Sequence, residues 1–326
     1  MSAATLPTPR PLSRLSFVLP ALGEAENLRL LIPRLVAQAG LADELEVVVV
    51  DDHSEDDTFQ VVREWAERDG RIRGLRLARR SGSHMAILCG LRAASGEATI
   101  ILAADGQDPP ELAESLVEEW RRGAQVVWAV REARDREGLA TRLFSRLYYA
   151  LMNRMASVRL PPLGADFFLL DRRVVSALLA IPEHNVSVFA LVVSLGFRQV
   201  EIRYVKQARL SGHSKWSMGR KVRLSLDSLV GFSILPLRLA AAMGFLYALG
   251  GFFYGTLLVL NKLTGGLLFG TVPLSGWSAL MIVLLLSSGS TMVILAIFGE
   301  YLWRALDEVR GRPRFLVEDE VNGPVG

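Results

Sequence analysis

Cysteine is nearly absent: Cys89 is the only one in 326 residues. A disulfide-stapled scaffold is therefore excluded, and a lone thiol fits a reducing compartment. Lysine is scarce too, found only at Lys206, Lys215, Lys221 and Lys262, so arginine carries most of the basic charge. Glycine shows no fixed period, which excludes a collagen-like chain. Net charge is small, +3, while 51% of residues are hydrophobic, so a disordered chain is excluded as well. Residues 1–12 hold Arg10 among prolines but no apolar core long enough for a signal peptide, and are expected to form a loose leader.

Charge is missing from two long stretches. No charged residue lies between Leu239 and Leu260, about the 20 residues that a bilayer core requires, and none between Leu263 and Gly299. Mean hydropathy is +0.30 although 22% of residues are charged, as expected of a charged globular part joined to a lipid-embedded part. A membrane hairpin over 236–304 is expected, with a pair of buried core helices as the alternative. Arg220, Lys221, Arg223 and Arg238 precede the first stretch, Arg304, Arg310, Arg312 and Arg314 follow the second, and Lys262 lies between. By the positive-inside rule both termini and the charged domain are cytoplasmic. The pI of 9.2 reflects these juxtamembrane arginines, which suit anionic headgroups, and no nucleic acid partner is expected.

Upstream, strand-like and helical runs alternate. Leu15–Leu19, Glu46–Val50, Ile72–Leu77, Ala98–Ala103 and Gln125–Val130 read as strands. Glu24–Ala39, Thr58–Arg68, Met85–Ala94 and Pro110–Arg122 read as helices. Alternation at this pace predicts an α/β fold with a doubly wound, mainly parallel sheet, whose ligands bind beyond the carboxyl ends of the strands. The polar clusters Asp51-Asp52-His53-Ser54 and Asp105-Gly106-Gln107-Asp108 fall at such ends.

Five segments carry a more specific signal. Val18-Leu19-Pro20-Ala21-Leu22-Gly23-Glu24-Ala25-Glu26-Asn27-Leu28 and Val50-Asp51-Asp52-His53-Ser54-Glu55-Asp56-Asp57-Thr58 resemble the opening motifs of family 2 glycosyltransferases. Ala104-Asp105-Gly106-Gln107-Asp108-Pro109-Pro110-Glu111, Gly164-Ala165-Asp166-Phe167-Phe168-Leu169-Leu170-Asp171-Arg172 and Arg209-Leu210-Ser211-Gly212-His213-Ser214-Lys215-Trp216-Ser217 are similar to motifs of their polyprenyl-phosphate branch, the dolichol-phosphate mannosyltransferase and GtrB-like group. The resemblance implies a GT-A catalytic domain over 13–216, an amphipathic juxtamembrane helix over 217–235, the two-span domain over 236–304 and a cytoplasmic tail over 305–326. Three positions depart from it: Gly23 stands in place of asparagine, Ala103 in place of the first aspartate of the "DAD" motif, and Phe168 in place of an arginine that contacts phosphate.

The resemblance also implies roles. Pro20, Glu24, Asp51, Asp52 and Asp105 would bind the donor nucleotide. Ser54, Asp56 and Asp57 read equally well as a solvated turn and the N-cap near Thr58. Asp105 and Gln107 offer two hard oxygens for Mg²⁺ or Mn²⁺, the alternative being a loop that caps the helix near Pro110, the role that suits Asp108. Asp166 is the candidate catalytic residue, and Arg131, Arg209 and Lys215 would neutralise phosphates. His53 and His84 are not expected to bind metal. Leu139, Leu143, Leu147, Leu151 and Met155, and again Met218, Val222, Leu226, Leu229 and Ser233, recur at helical spacing beside arginines; the first stretch reads as a helix packed on the soluble core, the second, which leads into a span, as an interfacial helix.

The expected activity is an inverting transfer from a UDP- or GDP-sugar to a polyprenyl phosphate at the bacterial inner membrane, with a homo-oligomer compatible with so thin an anchor. A processive synthase would carry a Gln-x-x-Arg-Trp element, which is absent. A catalytically silent, membrane-anchored nucleotide-binding relative is the alternative that Ala103 and Phe168 leave open.

Overall fold

The computed structural model describes residues 10–131, 166–181, 187–205, 235–264 and 277–323. The chain divides into two compact units, one of Met1–Val222 with Arg312–Gly326, the other of Arg223–Gly311. Among its described residues the first contains eight strands: β1 (Arg14–Ala21), β2 (Glu44–Asp51), β3 (Ile72–Leu77), β4 (Ala98–Ile101), β5 (Val126–Arg131), β6 (Phe167–Asp171), β7 (Gln199–Tyr204) and β8 (Val317–Val321). They form one sheet in the order β7-β5-β6-β4-β1-β2-β3-β8. Its centre, β4-β1-β2-β3, is parallel, as is the pair β5–β7, while β6 and β8 run antiparallel to their neighbours.

Val47, Val48, Val49 and Val50 have no exposed surface because β2 is covered on both faces, the reason a continuous β-branched run suits it. Burial of each such side chain contributes roughly 1.5–3 kcal/mol. On one face the core takes residues from helices α1 (Ala25–Val36), α2 (Thr58–Arg68) and α4 (Ala113–Arg121). On the other it takes them from α3 (Ser83–Ala93), α5 (Arg172–Ala180) and α6 (Val188–Ser194). Helix α3 lies close on the sheet at Gly90, where a Cβ would stand 2.3 Å from Val18 Cγ1 and 3.2 Å from Val50 Cγ2.

Pro20 is tolerated in a central strand because of its position. Val18 O accepts from Leu102 N and Ala21 O from Asp52 N, so Pro20 faces the β4 side, past the last β1–β4 pair, Val18↔Ile101. Its missing N–H leaves no ladder bond unmade.

Residues from both sequence-terminal regions pack onto this unit. Leu12 is buried, and Arg10 Nη1 reaches Asp171 Oδ2 at 3.5 Å while its guanidinium lies over Trp120. Within the stretch expected to be a tail, Val317–Val321 form β8, which pairs with β3. Five residues with three carboxylates carry no periodic apolar signal, so only the partner strand reveals them.

The second unit contains α7 (Leu235–Leu263) and α8 (Trp277–Val309). Phe245, Leu246, Phe252, Phe253 and Tyr254 on α7 and Val283, Met292, Phe298 and Trp303 on α8 are exposed. Among the described residues no helix is long and apolar enough to cross a membrane, so the structure does not establish the expected two-span hairpin.

Candidate active site

Strands β1 to β5 and β7 all end at one edge of the sheet, and β6 begins there. Pro20, Asp51 and Arg131 lie at or near the ends of their strands, Asp52, Asp105 and Gln107 in the loops beyond, and Asp166 one residue before β6. Topology thus brings together groups up to 146 residues apart in sequence (Pro20 to Asp166).

The turn after β2 is a buried polar knot. Asp51 and Ser54 are both buried, and Asp51 Oδ1 accepts from Ser54 N at 3.1 Å and from the Ser54 hydroxyl. Ser54 Oγ in turn accepts from Gly23 N at 2.8 Å, tying the β2 turn to the β1 turn. The solvated-turn reading of Ser54 is therefore replaced by a structural tie. Gly23 has φ +62°, in the left-handed region that glycine adopts without strain and asparagine tolerates better than most residues. Glu24 precedes α1: its N–H donates to Thr58 Oγ1 at 2.9 Å and its carboxylate accepts from Asn27 Nδ2 at 2.6 Å. Asp56 Oδ1 accepts from Thr58 N at 3.2 Å, which makes Asp56 the group serving the start of α2, whereas Asp57 makes no side-chain cap bond.

Asp52 accepts from Ser81 N at 2.6 Å and Gly82 N at 2.9 Å, bracing the loop that leads into α3. Burial raises its pKa above the usual carboxylate value, against the lowering effect of those two backbone donors and of Arg80. His84, in the first turn of α3, packs edge-on against Phe189, and burial pushes its pKa down to about 4. At neutral pH its imidazole is therefore uncharged. His53 lies at φ +58° with Nδ1 3.0 Å from Leu77 O, a structural placement.

On the other side of the edge, Arg131 Nη2 donates to Asp166 Oδ2 at 2.5 Å. Tyr204 Oη, at the end of β7, donates to the fully buried Asp108 at 2.5 Å. The register Arg131↔Tyr204 places the two side by side. Burial works against the Arg131 charge, but Asp166, Tyr204 and Asp108 outweigh it and hold its pKa above the usual value. Burial, followed by Asp108, raises the Tyr204 pKa, so the phenol remains a donor. Asp108, which could have been a simple helix cap, is instead the base of a strut that runs through Tyr204 to Arg131 and Asp166.

Gln107 N donates to Asp105 Oδ1 at 3.1 Å, closing a compact turn that fixes the carboxylate. Among the described residues no group of three or more His, Cys, Asp or Glu side chains is placed to hold a metal ion. Continuing the β4–β6 register past Ile101↔Phe168 brings Ala103 level with Asp166. Phe168 has no exposed surface and packs against Trp128 and Phe189 at ring distances of 5.0 and 5.6 Å. Its side chain belongs to the core, so position 168 makes no phosphate contact in this chain. Arg209, Lys215 and both amphipathic stretches lie outside the described residues.

Sequence reasoning gave no role to Asn27 of the first motif and passed over Tyr204 and Arg76, each buried or half-buried and each bonded to a motif residue. A tyrosine or arginine within a strand carries no local signature; only the pairing partner discloses its role.

Acidic and basic groups gathered past the carboxyl ends of an open, doubly wound sheet mark the edge at which α/β proteins of this class bind ligands. The glycosyl transferase family 2 model matches residues 16–179. The chain is 33% identical to an uncharacterised glycosyltransferase of Synechocystis, over 94% of this chain and 95% of that one. It is 34% identical to an undecaprenyl-phosphate 4-deoxy-4-formamido-L-arabinose transferase of Pseudomonas paraeruginosa (95% and 91% covered) and 30% identical to a prophage-derived bactoprenol glucosyl transferase of Shigella flexneri (86% and 89% covered). A mannosyltransferase of Pyrobaculum calidifontis, solved with GDP-Man and Mn²⁺, is similar at 18% identity and TM-score 0.46, over 90% of this chain and 88% of that one. The chain belongs to glycosyl transferase family 2, in the polyprenyl-phosphate branch, and is a glycosyltransferase.

Proposed function

We propose that this glycosyltransferase moves a sugar, with inversion, from a UDP- or GDP-sugar to a polyprenyl phosphate at the cytoplasmic face of a bacterial inner membrane. The observation that carries the reading is the shared strand-end edge, with the knotted carboxylates of the β1 and β2 turns on one side and the Arg131–Asp166 pair on the other. The relatives named for bactoprenol and undecaprenyl phosphate support the acceptor class.

The chemistry follows from charge. A phosphate monoester is already anionic near neutrality and needs no strong base to attack. Asp166, engaged by Arg131, is suited to orient that guanidinium, whose planar fork binds phosphate oxygens in pairs. The acceptor oxygen bonds to the anomeric carbon as the bond to the nucleoside diphosphate breaks on the opposite face. Asp105 and Gln107 present a carboxylate and an amide oxygen in one tight turn, a donor pair that fits Mg²⁺ or Mn²⁺ completed by diphosphate and water. Bound there, the ion would stabilise the leaving diphosphate as a Lewis acid.

Membrane attachment belongs to the same reading. The chain leaves the catalytic unit before Arg223 and returns to it as β8, so any crossings between must be even in number. The exposed aromatic and aliphatic side chains of α7 and α8 support two of them. Membranes containing the protein, given radiolabelled sugar nucleotides and undecaprenyl phosphate, should yield a labelled lipid on thin-layer plates. Asp105→Ala should reduce that product at least a hundredfold; undiminished transfer removes Asp105 from the mechanism.

A further inference from the structure

We infer that the C-terminal strand is part of the donor site: Glu318 of β8, through Arg76 and His53, positions the Asp51–Ser54 turn for the nucleotide. The inference rests on the donor class proposed above.

Asp51 is fully buried, and a buried carboxylate requires compensation. One oxygen is satisfied by Ser54; the other, Oδ2, has no hydrogen-bond partner among the described residues but faces Arg76 Nη1 at 3.4 Å. Arg76 Nη2 donates to Ser54 O at 3.1 Å, so a single guanidinium spans both ends of the turn. Its remaining nitrogen, Nε, lies 3.5 Å from Glu318 Oε2. The same oxygen is 3.5 Å from His53 Nδ1, inside the turn and at positive φ. Glu318 thus holds Arg76 from behind while Arg76 holds the turn.

Strand pairing explains how Glu318 gets there. The β3–β8 register jumps from Arg76↔Asp319 to Leu77↔Val317, leaving Glu318 as the extra residue of a bulge. A bulge re-aims one side chain off the regular alternation, here toward Arg76. The other two carboxylates of β8 go elsewhere: Asp319 to Arg63 at 2.6 Å and Glu320 to Arg73 at 3.3 Å, neither of which touches the turn. Because Glu318 is half-exposed, its pair adds little to stability, and its effect lies in where Arg76 points.

Calorimetric titration of the full-length protein with UDP and with GDP tests this, together with KM for sugar nucleotide and for acceptor. Glu318→Gln should weaken the bound nucleoside diphosphate about three- to fivefold, the range open to a half-exposed ion pair. Arg76→Lys, which cannot span both groups, should weaken it about tenfold. Asp319→Asn and Glu320→Gln, which remove the neighbouring ion pairs of the same strand, should stay within about twofold of wild type. Acceptor KM should not move in any of them. Unchanged binding in Glu318→Gln overturns the proposal, and so does an equal loss in all three strand variants, which would mean that β8 acts only by docking. Should Arg76→Lys fail to fold, the three strand variants decide alone. A wild-type protein that binds neither nucleotide sinks the donor reading and this inference together, whereas wild-type binding with Glu318→Gln unaltered sinks only the latter.

Discussion

At the scale of single residues, buried partners govern what the motif residues can do. Asp166 was recognisable by its motif, and Asp51 and Asp52 by their place after a β-branched run. Their neighbours were not: Tyr204 and Asp108 are 96 residues apart and meet only because β7 returns beside β5. Tyr204→Phe should cost about 1–3 kcal/mol in chemical denaturation, since a buried carboxylate loses a donor. It should also lower kcat/KM by letting Arg131 drift. Arg131→Lys should retain the fold and lose about 10²-fold in kcat/KM, because a point charge cannot hold Asp166 and the proposed acceptor phosphate at once as a planar guanidinium can. A variant with near wild-type turnover would remove Arg131 from the acceptor site.

Elements were the most legible level. Thr58–Arg68 and Ile72–Leu77 occur with the boundaries expected, because a strong 3.6-residue or apolar period is followed by a clear stop. Elsewhere the ends moved by a few residues: the helix expected from Pro110 starts as a short 3₁₀ turn, Pro110–Leu112, before α4. Close packing imposes conditions no period shows. Gly90 is a weak helix former, yet α3 needs it where it crosses β1 and β2. Gly90→Val should destabilise the protein by about 1–3 kcal/mol through overpacking against Val18 and Val50, read as a lower midpoint in urea. An unchanged midpoint would show that α3 can move off the sheet.

At the scale of the whole molecule, the return of the C-terminus to the sheet has the widest consequence. Reporter domains fused at residue 1 and residue 326 should lie on the same side of the membrane, and the protein should resist alkaline carbonate extraction yet dissolve in detergent. Reporters on opposite sides would break the even-crossing constraint. The amino-acid order by itself determined the α/β alternation, the chemistry of the strand-end loops and the two uncharged stretches, because each is a local pattern of burial or charge. Only the tertiary structure decided that Ser54 ties two loops, that Phe168 belongs to the core, that Tyr204 braces Arg131, and that an acidic terminal segment becomes the eighth strand. Each of those depends on contacts between residues remote in sequence, and such a contact leaves no period to read: it exists only once hydrogen bonding across the sheet has chosen the neighbours.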